Sequence, residues 1–204
     1  MQEVNIAGYG LSPQQKHIWA EPRNGADYQT QAVVKVDGPV NDQALKAALA
    51  SIVSRYEVLR TTFRRQTGMK LPVQVINEDL EPAWAAIGVC DLPPNQREVR
   101  IQAVLRENAE QPFDLENGPL IRATLAHLSN DRHCLLITAH ALVADAESLR
   151  TIMQEWSSIY AGAGSCYAAV DPLQYADYAE WQKDRKSTRL NSSHIQKSRM
   201  PSSA

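Results

Sequence analysis

The sequence predicts an α/β lobe in which a mixed or antiparallel sheet is covered by helices. Two observations carry this prediction. Short apolar or β-branched runs alternate with stretches whose apolar residues recur at helical spacing. Two of those runs, Leu120 to His127 and His133 to Thr138, are joined by the turn Ser129-Asn130-Asp131 and should pair antiparallel. With 204 residues, 44% of them hydrophobic, the chain can bury one substantial core, so one domain or one lobe of a larger one is expected.

The elements follow in order. Leu11 to Trp19 reads LSPQQKHIW, with Ser12 as a cap, Pro13 at the first helical position and Gln15 completing a capping box, so a short helix begins there. Gln31 to Asp37 is β-branched and stops at Gly38-Pro39, which predicts a strand and a turn. Asn41 caps a second helix whose Leu45, Ala48, Leu49, Ile52, Val53 and Tyr56 form one stripe. Thr61 to Arg65 and Leu71 to Ile76 frame Gly68 as a hairpin. Glu78 to Pro94 reads as irregular, because Pro82, Pro93 and Pro94 interrupt it. Asn95 to Asn108 predicts a third helix, with Val99, Ile101, Val104 and Leu105 as its apolar positions, ending before Pro112.

Leu135 to Gly162, LLITAHALVADAESLRTIMQEWSSIYAG, organises the rest. An apolar strand hands over to a tight turn carrying His140 and Asp145 among small residues, then to an amphipathic helix. Asp145 can cap that helix, Leu149, Ile152, Met153, Trp156, Ile159 and Tyr160 share its apolar face, and Gly162 can end it. Such a turn suits a reaction centre; it equally suits an ordinary loop with a buried histidine and a capping aspartate.

Composition narrows the function. The formal net charge is -2, but Lys186, Arg189, Lys197 and Arg199 lie in the stretch from Lys186 to Ala204, which has no acids, and the rest of the chain holds 17 basic against 23 acidic residues, about -6. Phosphate binding needs a basic face, so nucleic acid is not expected as a partner. Cys90, Cys134 and Cys166 are odd in number and form no CxxC pair, which fits a reducing cytoplasm. Neither a signal peptide nor a stretch of membrane-spanning length is present, so a soluble cytoplasmic protein is expected. Nucleotide-binding glycine loops, a GxSxG elbow and an HExxH zinc helix are absent from the sequence. His17, His127, His133 and His194 are scattered along it and read as solvated or packed residues. Residues 183–204, rich in Ser, Lys and Arg, read as a disordered, non-native tail following a domain at 1–182.

Several strings resemble the motifs of condensation domains from nonribosomal peptide synthetases, within the chloramphenicol acetyltransferase-like superfamily. Arg55 to Phe63, RYEVLRTTF, resembles RHExLRTxF with Tyr56 in place of His. Pro112 to Arg122, PFDLENGPLIR, closely resembles PFDLxxGPLxR, although locally Gly118-Pro119 is a turn and Asp114 a ligand for nearby backbone. The stretch from Leu135 resembles the HHxxxDG motif and its preceding strand: His140 matches the first His, Ala141 occupies the second, Asp145 matches the Asp and Ala146 replaces the Gly. Ser12, Gln15 and Trp19 resemble the first family motif, and Tyr175 to Trp181, YADYAEW, resembles YxDYAxW.

The resemblance implies a sandwich lobe of a domain about twice this long, whose C-terminal lobe is missing here. It implies amide formation between acyl or aminoacyl thioesters carried on the phosphopantetheine arms of donor and acceptor carrier proteins, with no directly bound cofactor or metal. In such domains the second His handles the proton of the attacking amine, so Ala141 marks a lost catalytic position and this chain alone is not expected to catalyse. Arg60 is expected to pair with Asp145 and hold the turn in shape, with His140 in support. A silent carrier-docking module, and an epimerising or ester-forming relative, are the alternative readings of the same motifs.

Overall fold

In the computed structural model, residues 8–21, 28–65, 68–162 and 171–182 are described. Helix α1 (Pro13–Ala20) starts as its sequence demands: Ser12 Oγ accepts the Gln15 amide, and Gln15 Oε1 accepts the Ser12 amide at 2.9 Å. Strand β1 (Gln29–Asp37) leads to α2 (Asp42–Arg55), capped by Asn41, and a 3-10 turn (Glu57–Arg60) follows. Strands β2 (Thr61–Arg64) and β3 (Val73–Ile76) pair antiparallel as a separate two-stranded sheet. Then come β4 (Ala83–Gly88), α3 (Pro94–Glu110), β5 (Ile121–Ser129), β6 (Arg132–His140), α4 (Ala146–Tyr160) and the helix α5, residues 175–182.

The main sheet has the order β1-β6-β5-β4. β6 lies antiparallel to both β1 and β5, with Ala139 opposite Thr30 on one side and Ile121 on the other. Because side chains alternate across a strand, Ile121, Ala123 and Leu125 of β5 and Leu135, Ile137 and Ala139 of β6 share one face. There they join Leu49, Ile52 and Val53 of α2 and Leu149, Ile152 and Trp156 of α4 in the largest core cluster. On the opposite face Ala126 and Cys134 pack with Ile101 of α3. Both faces are covered, which is why β5 is buried from Ile121 to Ala126 and β6 from His133 to His140 instead of alternating buried and exposed positions.

The segment read as irregular contains β4, the fourth strand of the sheet, parallel to β5. Its sequence AWAAIG hid it: alanine is a weak strand former, the half-buried Trp84 and Ile87 are three residues apart, and an edge strand needs only one partner. Val99 corrects a second expectation. It is 68% exposed, and α3 turns Ile101 and Val104 inward instead. Among the described residues no helix is long and apolar enough to cross a membrane. Cys166, His194 and the tail at 183–204 lie outside the described residues.

Candidate functional site

The turn between β6 and α4 is built from both ends and from below. The His140 amide donates to Leu120 O at 2.9 Å, the Ala141 amide to Tyr28 O at 2.7 Å, and the Val143 and Ala144 amides return to His140 O. Leu142 and Val143 are buried with Leu11, Phe63 and Leu120 in a second apolar cluster. Gln15, itself buried, donates through Nε2 to Leu142 O at 3.1 Å and to Gln74 Oε1 at 2.9 Å. The Gln15 that completes the helix cap therefore also pins the central turn.

The other motif strings converge on the same place. Phe113 meets the His140 ring edge-on, with centroids 6.1 Å apart, and the Arg122 guanidinium lies over the same Phe113 ring, 4.0 Å from its centroid. Asp114 Oδ1 accepts the Glu116 and Asn117 amides, and Gly118 has a φ of 69°, in the left-handed region that favours glycine, where a Cβ would also sit tightly, 3.0 Å from Leu80 Cδ2 and 3.2 Å from Thr62 Cγ2. Tyr175 Oη lies 2.8 Å from Ser12 Oγ, and Gln174 Oε1 accepts the Glu57 amide, so the helix carrying the last motif docks on the first two.

His140 is 3% exposed, and its Nδ1 accepts the Leu142 amide at 3.2 Å, which leaves the ring proton on Nε2. Burial lowers its pKa from 6.5 to about 4. It is a neutral pin for the turn and a weak base at neutral pH. Its protonation is linked to folding: the unfolded chain takes up this proton near pH 6.5 and the folded chain only near 4. The contribution of neutral His140 is complete above pH 6.5 and is lost as pH falls towards 4, by about 3 kcal/mol in all. Urea unfolding between about pH 7.5 and about pH 4.5 should show this slope, and His140→Gln should flatten that part of it.

Asp145 and Arg60 do not pair, contrary to expectation. Asp145 Oδ1 accepts the Ser148 amide at 2.8 Å and the Ser148 hydroxyl at 2.6 Å, capping α4. The Ser148 hydroxyl, then its amide, holds the Asp145 carboxyl below the usual carboxylate range. Arg60 donates to Asn77 O at 3.1 Å and to Glu57 Oε1 at 3.3 Å. Local groups win both charges: helix amides without intrahelical partners claim the carboxylate, and Asn77 clasps the arginine by also donating to Arg60 O.

The two motifs meet instead at a cavity of about 340 Å³, lined by Tyr56, Leu59, Val143, Asp145 and Glu155 among others. Fully buried Glu155 accepts the Tyr56 hydroxyl at 2.8 Å and lies 3.9 Å from Arg55 Nε. Desolvation, then Glu155, raises the Tyr56 pKa. The sequence held no signal for Gln74 and Glu155 as buried polar anchors, or for the half-buried Asn77 just past β3 as the clasp on Arg60. Nor are all the remaining histidines scattered: His127 and His133 face each other, Nδ1 to Nδ1 at 2.9 Å, with Asp42 Oδ2 3.0 Å from His127 Nε2. Among the described residues no group of three or more His, Cys, Asp or Glu is placed to hold a metal ion.

The family model described as Condensation domain matches residues 5–198. A linear gramicidin synthase polypeptide from Brevibacillus parabrevis is 37% identical over 180 residues, covering 85% of this chain and 2% of that protein. Chondramide synthase cmdD from Chondromyces crocatus is 35% identical over 181 residues, covering 86% of this chain and 5% of that protein. The crystal structure of the X-domain from teicoplanin biosynthesis superposes with a TM-score of 0.75 at 25% identity, covering 92% of this chain and 40% of that one. The chain thus spans a small fraction of these relatives and less than half of the solved domain. A strand-to-helix turn that carries one motif string and is framed by four others, and a family model matching nearly the whole sequence, place the chain in the condensation-domain family of nonribosomal peptide synthetases.

Proposed function

We propose that this chain is the N-terminal lobe of a condensation domain and that the complete domain forms amide bonds in a peptide assembly line. The amine of an acceptor thioester attacks the carbonyl of a donor thioester; the new C–N bond replaces the C–S bond, the amine gives up a proton and the donor carrier leaves as its thiol. Both substrates ride on phosphopantetheine arms of partner carrier proteins. The observation that carries this reading is the seating of the PFDLENGPLIR string against the His140 turn, through the Phe113 ring and Leu120 O.

Within this reading His140 and Asp145 shape the turn, and Ala141 stands where the family places its base. Arg60 supports the neighbouring hairpin. Catalysis by the parent then rests on positioning, since holding two reactants in attack geometry supplies effective molarities of roughly 10⁵ M or more. The test uses the full-length parent with donor and acceptor carriers loaded with thioesters. Mass spectrometry should find an amide on the acceptor carrier that requires the donor. An inverted stereocentre without a new bond, or donor hydrolysis alone, would overturn the assignment.

A further inference from the structure

A cavity of about 460 Å³ opens between α3 and the β4–β5 pair, within the size range of small-molecule sites. Arg122 lines it, on the face of β5 that alternates with the large core, and is only 8% exposed. All of its hydrogen bonds leave from Nη2: to Gln29 Oε1 at 2.9 Å, to Asn108 O at 2.8 Å and to Gln111 O. Three neutral acceptors thus crowd a nitrogen carrying two protons, while among the described residues Nη1 has no acceptor and Nε is buried without one. No carboxylate of the described residues reaches this guanidinium, and a buried cation without a counter-ion is costly. The Phe113 ring 4.0 Å away offsets part of that cost.

The other charges on the cavity wall are committed. Arg100 pairs with Glu107 at 2.8 Å, and Asp114 is held by Asn117 and the Glu116 amide. Among the described residues Arg122 is therefore the one cation lining this cavity without a carboxylate partner, beside apolar walls from Ala85, Ile87 and Val104, which lie on the α3 side of the sheet. Glu107 and Asp114 would repel a doubly charged guest, so the balance favours a single negative charge. We propose that this cavity binds a small organic monocarboxylate, its carboxylate on Arg122 Nη1 and its apolar body against Ala85, Ile87 and Val104. The site is separate from the turn of His140 to Asp145 and does not depend on the reaction assigned to it.

Isothermal titration of the whole 204-residue chain with 4-phenylbutyrate tests this. Saturable binding is expected, at least roughly tenfold tighter than that of neutral 4-phenylbutyramide, and inorganic phosphate should give none. Arg122→Gln should weaken phenylbutyrate by roughly tenfold or more. Because Arg122 is buried, Ala85→Trp provides the independent arm: Ala85 is an exposed residue of β4 on the cavity wall, so the indole should block the site while leaving the circular dichroism spectrum unchanged. Equal binding of acid and amide, phosphate binding as tight as phenylbutyrate, full affinity in folded Ala85→Trp, or no phenylbutyrate binding up to about 10 mM would each overturn the proposal.

Discussion

On the function proposed above, placing an imidazole at position 141 of the full-length parent should raise the rate of amide formation by about 10²- to 10⁴-fold, the range a well-placed general base supplies. The expectation rests on the contrast between two adjacent residues. His140 is sealed in the protein, accepts the Leu142 amide through Nδ1 and has its pKa pushed down to about 4, so it cannot substitute as the base. Ala141 follows the end of β6, is half-buried, and is fixed only through its backbone amide on Tyr28 O. An imidazole on that half-buried Cβ should be less desolvated than His140, and an imidazole's ordinary pKa of about 6.5 suits accepting and returning a proton at neutral pH. Single-turnover assays of Ala141→His with loaded carriers read the effect in the chemical step. Ala141→Gln, polar but unable to titrate, should gain little. Equal rates for the natural protein and Ala141→His would show that the proton is handled elsewhere.

Sequence patterning made most of the scaffold legible because most of it follows from local chemistry. The Ser12-Pro13-Gln15 cap, the Asn41 and Asp145 caps, and the apolar stripes of α2 and α4 appear where their spacing requires. Strand β4 escaped because its information is nonlocal: AWAAIG becomes a strand only because β5 offers it an edge. The site divided in the same way. His140 and Asp145 were readable as members of the strand-to-helix turn, and Asp145 as a cap. The Arg60–Asp145 pair was carried over from the family pattern and fails here because each charge has a nearer partner, Ser148 for the carboxylate and Asn77 with Glu57 for the guanidinium. The polar brace Gln15–Gln74–Leu142 joins residues 59 and 127 positions apart from Gln15, a separation at which periodicity carries no signal. It nevertheless explains why the first motif matters to the turn.

Trp156→Ala should cost about 3–5 kcal/mol, the usual range for emptying a buried tryptophan site. Trp156 is 1% exposed at the junction of α2, α4 and the sheet, donates its indole N–H to Leu45 O at 2.9 Å, and meets Trp84 edge-on with centroids 6.3 Å apart. It thereby ties α4, which Asp145 caps, to α2 and to the edge strand β4. Neighbours cannot collapse easily into the gap, since Leu45, Leu49 and Ile52 are held on a helix and Trp84 on a strand. For a domain whose whole stability is about 5–15 kcal/mol, this loss approaches global unfolding. Trp156→Phe separates the contributions: it keeps most of the apolar volume and forfeits the bond to Leu45 O, and should cost about 1–2 kcal/mol. Urea unfolding followed by circular dichroism gives both values, with an unchanged m-value expected for a native-state packing effect. A cost below about 1 kcal/mol for Trp156→Ala would mean that α4 is not anchored to the sheet through this indole.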